Sequence, residues 1–249
     1  MGPHRRNERE STLPYYRRIN ERVRERLGGL HSARLVLYSV DFQEIERLQH
    51  ADRWDEAGIV LVRAAQALAA AGADFLVLCT NTMHKVAPAI ESVGLPLYHI
   101  ADATAEVVRT AGVSRVGLLG TRFTMEQEFY RGRLEEKHHI AVLTPDEKDR
   151  DLVHRVIYDE LCLGVIRDDS RRGYRAVIDR LAARGAQGII LGCTEIALLS
   201  PWRTRAVPVF DTCADYADGA ADLAPESLRT AWPRGGDRPS WTRRREISE

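Results

Sequence analysis

The chain has 249 residues, 44% hydrophobic and 29% charged, and its 36 basic and 36 acidic side chains cancel. This suits one large or two ordinary soluble domains, excludes wholesale disorder, and gives no general attraction to nucleic acid or an anionic membrane surface. No apolar run approaches the roughly 20 residues that span a bilayer, and no apolar segment follows the start Met as in a secretory signal, so a cytoplasmic protein is expected.

In chain order, "MGPHRRNERE" at 1–10 is too charged for a buried strand. Strands are expected at 34–40 (RLVLYSV), 74–80 (DFLVLCT), 96–100 (PLYHI), 115–121 (RVGLLGT), 140–145 (IAVLTP), 188–194 (GIILGCT) and 207–212 (VPVFDT). Their near-continuous Val/Ile/Leu content is that of parallel strands covered on both faces. Helical period fills the gaps, at 53–72, 126–138 and 171–185, the first and last closing near a glycine. The alternation predicts an α/β fold with right-handed crossovers. Residues 225–249 are rich in Pro, Gly and Arg without periodicity and read as a disordered tail.

Two stretches share one grammar. "GADFLVLCTNT" and "GAQGIILGCTEI" each run from Gly-Ala through an apolar strand to Cys-Thr and a predicted helix start. Their cysteines, Cys79 and Cys193, lie 114 residues apart, which indicates two similar α/β halves. Sites in open α/β sheets form beyond the carboxyl ends of strands, so facing halves would bring both thiols to one cleft. The remaining cysteines, Cys162 and Cys213, read as small core residues, and the absence of close Cys pairs favours free thiols. His84, five residues after Cys79, is either a partner of that thiol or a surface histidine. Cys79, His84 and Cys193 lack the compact spacing of a zinc site, so no metal is expected.

Paired thiols on opposite sides of a carbon can invert it. One removes a proton as thiolate, and the other returns a proton to the opposite face as thiol. Thr80, Asn81, Thr82 and Thr194 sit at the strand-to-helix turns, where hydroxyl and backbone N–H groups can hold a carboxylate.

With these residues in view, "LCTNTMHKVAPAIE", "LGTRFTMEQEFYRGRL", "GCTEIALL" and "VPVFDT" resemble the aspartate/glutamate racemase family over about residues 11 to 222. The resemblance implies two flavodoxin-like lobes, 1–98 with 207–224 and 99–206, and a cleft between them. It implies a cofactor-independent, often dimeric amino-acid racemase acting on a small amino acid through Cys79 and Cys193, without pyridoxal phosphate. Ser11, Thr12, Thr80, Asn81, Thr82, Thr121 and Thr194 would bind substrate. The chain departs from the family in two places. "SVDFQEIE" lacks the Arg that clamps a side-chain carboxylate, and Cys162 stands where a Lys is expected. His31, Gln43 and Lys85 are the candidate replacements. The family's opening, close to "IGLIGGMSWEST", is replaced by "MGPHRRNEREST". Codons CAT CGG CGG AAT GAG for residues 4–8, read one base later, begin Ile-Gly-Gly-Met, so the start reads as a frame-shifted version of that strand and turn. Two other classes fit the paired thiols: a hydantoin racemase or maleate isomerase, and a non-catalytic binder of small acids.

Overall fold

The computed structural model describes residues 9–200 and 207–224, so the expectations for the 1–8 start and the 225–249 tail lie outside it. Ten α-helices occupy the described chain: α1 (Arg9–Leu27), α2 (Phe42–His50), α3 (Trp54–Ala70), α4 (Ala87–Glu91), α5 (Ile100–Thr110), α6 (Arg122–Glu126), α7 (Glu128–Gly132), α8 (Glu147–Asp159), α9 (Asp168–Ala183) and α10 (Thr212–Leu223). Six strands alternate with them: β1 (Leu76–Val77), β2 (Leu97–Tyr98), β3 (Arg115–Gly120), β4 (Ala141–Leu143), β5 (Gly188–Gly192) and β6 (Val209–Asp211). All pairings are parallel, in a two-stranded sheet β1-β2 and a four-stranded sheet β4-β3-β5-β6. The fold is α/β and two-lobed, as expected from the alternation.

The larger sheet shows why its strands read as continuous apolar runs. Val116 and Leu118 of β3 and Ile190 of β5 enter one core with α5, α7, α10 and Tyr15 of α1. Leu119, Ile189 and Leu191 point the other way, into a second core with α8 and α9. Both faces are covered, so alternation of side chains does not produce alternation of polarity. The helix expected at 171–185 starts three residues earlier as α9, and Gly185 closes it at φ 94°, a conformation glycine adopts without strain.

Three expectations change. The lobe boundary at 207 falls inside one sheet: Ile189, Ile190 and Leu191 pair with Val209, Phe210 and Asp211, so β6 belongs with 99–206. Only α10, beyond it, turns back to pack on α1 and α5. The helix at 126–138 is broken at Gln127, whose extended backbone (φ −99°, ψ 152°) separates α6 from α7, and it ends in a π-type turn at Arg133–Lys137. The strand at 34–40 does not form. β1 is paired with β2 alone among the described residues, and Leu35, Val36, Leu37 and Tyr38 are exposed. With no neighbour to complete its hydrogen bonds, an apolar sequence alone does not make a strand. Val36→Lys should therefore change stability by no more than about 0.5 kcal/mol, as at other exposed positions. A loss above about 2 kcal/mol in urea denaturation would contradict this placement.

Charge ties the N-terminal helix in place. Arg18 makes a two-bond pair with Asp218, at 2.6 Å for each contact, and Arg22 and Arg26 share Asp222. The basic face of α1 thus lies along the acidic face of α10, with Tyr15 and Tyr216 packed edge to face beneath (6.2 Å between ring centres).

Candidate active site

Register brings the second lobe's cleft residues together. Gly120 and Gly192 are direct partners at the carboxyl ends of β3 and β5, so Thr121 and Cys193 follow on adjacent strands. Both positions need glycine: a Cβ at Gly120 would lie 2.9 Å from the Gly192 carbonyl oxygen, and one at Gly192 3.0 Å from that of Leu119. Cys79 leaves β1 of the first lobe in the same sense. Cys79 and Cys193 line one cleft with Thr80, Asn81, Thr82, Thr121, Thr194 and Glu195.

The Cys-Thr segments continue as short 3-10 turns, Thr82–Val86 and Thr194–Leu199, where α-helices were expected. Proline explains both. Pro88 lacks an N–H and starts the separate α4, while Ser200, ahead of Pro201, is held extended at ψ 154°. Such short turns carry little helix dipole, so the polar groups they offer the cleft are hydroxyls and local backbone N–H groups.

Those hydroxyls form a chain across the lobes. Thr82 meets Thr121 at 3.0 Å, Thr121 meets Thr124 at 3.2 Å, and Thr121 also caps α6 by accepting from the Thr124 N–H. On the other wall Thr194 meets the Tyr15 hydroxyl at 3.3 Å. Asn81 is fixed by its surroundings. Thr212 donates to the Leu191 carbonyl, so its oxygen accepts from Asn81 Nδ2 (3.1 Å). That leaves Asn81 Oδ1 buried without a hydrogen-bond partner. An acceptor in that position is costly unless a ligand or solvent fills it.

His84 serves a structural purpose. It is 1% exposed, its Nδ1 donates to the Thr80 carbonyl (2.7 Å), and its Nε2 accepts from the Ile100 N–H (3.2 Å). Both nitrogens are engaged in joining the Cys79 turn to α5, so the ring is neither a surface group nor aimed at the Cys79 thiol. Burial lowers its pKa to about 4, and the ring is neutral in the folded chain. The unfolded ring titrates near pH 6.5, so this contribution to stability is complete above that pH and is lost as pH falls toward 4. His84→Asn should flatten the loss measured by urea denaturation between pH 6 and 4.5 by about 1.4 kcal/mol per pH unit. Equal slopes would contradict a neutral buried His84.

The remaining expected residues fall elsewhere. The expectation for the Ser11 side chain lies outside the described residues, and Thr12 is half-buried on α1 away from the cleft lining. Tyr15 is the α1 residue that reaches Thr194. Gln43 is exposed and bonded to Glu46, whereas Phe42 and Gln49, on the other face of α2, line the cleft. Lys85 lies over the Trp54 ring at 3.8 Å, and His31 is exposed. Cys162 packs against the second core, and Tyr158, one turn earlier, reaches the cleft. Glu195 and Gln49 were missed, although Glu195 stands in the Cys-Thr-Glu motif itself.

The two-lobed parallel α/β fold is shared with solved structures of racemase type. A candidate Asp/Glu racemase of Yersinia pestis is 60% identical, with 86% of this chain and 93% of that chain covered and a TM-score of 0.81. An aspartate racemase homologue from Pyrococcus horikoshii OT3 is 33% identical, covering 86% and 94%, with a TM-score of 0.74. A glutamate racemase of Synechococcus sp. (strain CC9605) is 26% identical over 169 residues, 64% of this chain and 57% of that protein. The class is that of racemase-type isomerases. The chain belongs to the Asp/Glu/hydantoin racemase family, whose pattern matches residues 7–217.

Proposed function

We propose that the protein racemises an amino acid without a cofactor, with aspartate or glutamate the leading substrates, by proton transfer between Cys79 and Cys193. The observation that carries this reading is the convergence of two thiols from different lobes on one cleft that also holds an unpaired acceptor, Asn81 Oδ1. In this reading the substrate ammonium group donates to Asn81 Oδ1, and its α-carboxylate accepts from the hydroxyls of Thr80, Thr82, Thr121 and Thr194. One thiolate takes the Cα proton, the electron pair left on Cα is delocalised into the carboxylate, and the opposite thiol protonates the other face. Burial pushes the Cys79 thiol up to about 12, so little thiolate exists in the empty cleft at neutral pH. The arriving ammonium supplies the positive charge that favours a thiolate.

The choice of aspartate or glutamate is supported by the names of the relatives. The side chain would meet Phe42, Gln49 and Tyr158, and no Lys or Arg lines the cleft among the described residues. Proton NMR of L-aspartate and L-glutamate in D2O with the purified protein tests the reading. Loss of the Cα–H signal together with appearance of the D-isomer supports it. Absence of exchange on these acids, on a panel of other amino acids and on substituted hydantoins would overturn it in favour of a binding protein.

A further inference from the structure

The two thiols stand in different surroundings. Cys193 Sγ donates to Glu195 Oε2 at 2.8 Å. Glu195 is 7% exposed, lines the cleft, and belongs to the 3-10 turn that Cys193 caps, so its carboxylate is built into the site. The residues that follow Cys79 in the cleft, Thr80, Asn81 and Thr82, carry no charge. We propose that Glu195 makes the two thiols inequivalent: its carboxylate accepts the Cys193 S–H and holds that sulfur protonated, so that when substrate arrives Cys79 is the thiol that ionises and accepts a proton and Cys193 the one that donates.

This inference deepens the racemase reading and rests on it for its catalytic meaning. The physical case has two parts that act in the same direction. A hydrogen bond from the thiol stabilises its neutral form, and a carboxylate at this distance opposes a second negative charge on the sulfur. In a turnover, Cys79 first releases its thiol proton to water as the substrate ammonium arrives; the substrate Cα–H bond then breaks and an S–H bond forms on Cys79, with the electron pair left on Cα. The Cys193 S–H bond then breaks, its proton bonds to Cα from the opposite face, and the pair stays on sulfur. The resulting Cys193 thiolate faces the Glu195 carboxylate, and proton exchange with water restores the resting form. Enantiomers are equal in free energy, so kcat/KM is the same in both directions. The inequivalence therefore shows in kcat and KM taken separately.

Alkylation by iodoacetamide, followed against pH for each cysteine by peptide mass spectrometry on the full-length protein, reads the effect directly. In Glu195→Gln and Glu195→Ala the midpoint for Cys193 should fall by about 1–3 pH units, while Cys79 moves by less than about half a unit. Glu195→Asp, which keeps the charge, should hold the Cys193 midpoint within about one unit of the unmodified protein. A Cys193 midpoint that stays or rises in both neutral variants overturns the proposal, as does an equal fall at Cys79, which would mean general opening of the cleft. Alkylation needs no turnover, so a failure here is distinct from a failure of the unmodified protein to exchange the substrate Cα–H.

Discussion

Cys79→Ala and Cys193→Ala are each expected to lower racemisation by about 10²–10⁴-fold, the usual contribution of a positioned acid or base. In the proposed mechanism, loss of either thiol leaves one face of Cα without a proton carrier, so each variant should fall about as far as the double variant. On the same reading substrate affinity should change little, because the proposed substrate contacts at Asn81 and the threonine hydroxyls remain. Cys193 is buried and Cys79 half-buried, and alanine keeps their Cβ atoms, so folding should survive. Calorimetric binding and chiral separation of products, measured together, check this. A variant with more than about a tenth of the original turnover would remove that thiol from the mechanism.

The second large effect is structural and lies at Tyr216. This residue is fully buried on α10, and its hydroxyl accepts from the Leu78 N–H (3.1 Å) while donating to the Tyr98 carbonyl. Its ring stacks on Tyr98 at 5.2 Å between centres. One side chain therefore fixes the ends of β1 and β2, and Leu78 immediately precedes Cys79. Tyr216→Ala should cost about 3–5 kcal/mol, as for other large aromatic deletions in cores. Tyr216→Phe should cost about 1–3 kcal/mol, the penalty for leaving the partly buried Leu78 N–H without its acceptor. The phenylalanine variant should also lose turnover beyond its stability defect, because small displacements of a reacting group reduce rates steeply. Denaturation and kcat measured on the same preparation check both. A phenylalanine variant as stable and active as the original would show that Tyr216 does not position Cys79.

Much of this was legible because the sequence repeats itself. The two Cys-Thr stretches identified both lobes and located the cleft at the strand ends. The central strands β3 and β5 of the larger sheet were legible because each is an apolar run buried on both faces. Residues 34–40 have the same composition but form no strand, since strand formation depends on a neighbour that composition does not reveal. Gln43 was named as a candidate, and Gln49 was not. Helical period could have reversed that choice: Phe42 and Gln49 are seven residues apart and share a face with the buried Ile45. Glu195 carried its own signal, an acidic side chain two residues from a cysteine, but sequence alone does not show that a 3-10 turn brings the two together.

In the proposed mechanism two different groups handle the two faces of Cα. The most direct measurement is the isotopic content of both enantiomers during early turnover of an L-amino acid in D2O. Each D-product molecule should carry one solvent deuterium, while the remaining L-substrate keeps its protium. Product that retains the substrate's own proton, or deuterium entering substrate and product equally from the start, would indicate a single exchanging base and would contradict the two-thiol mechanism.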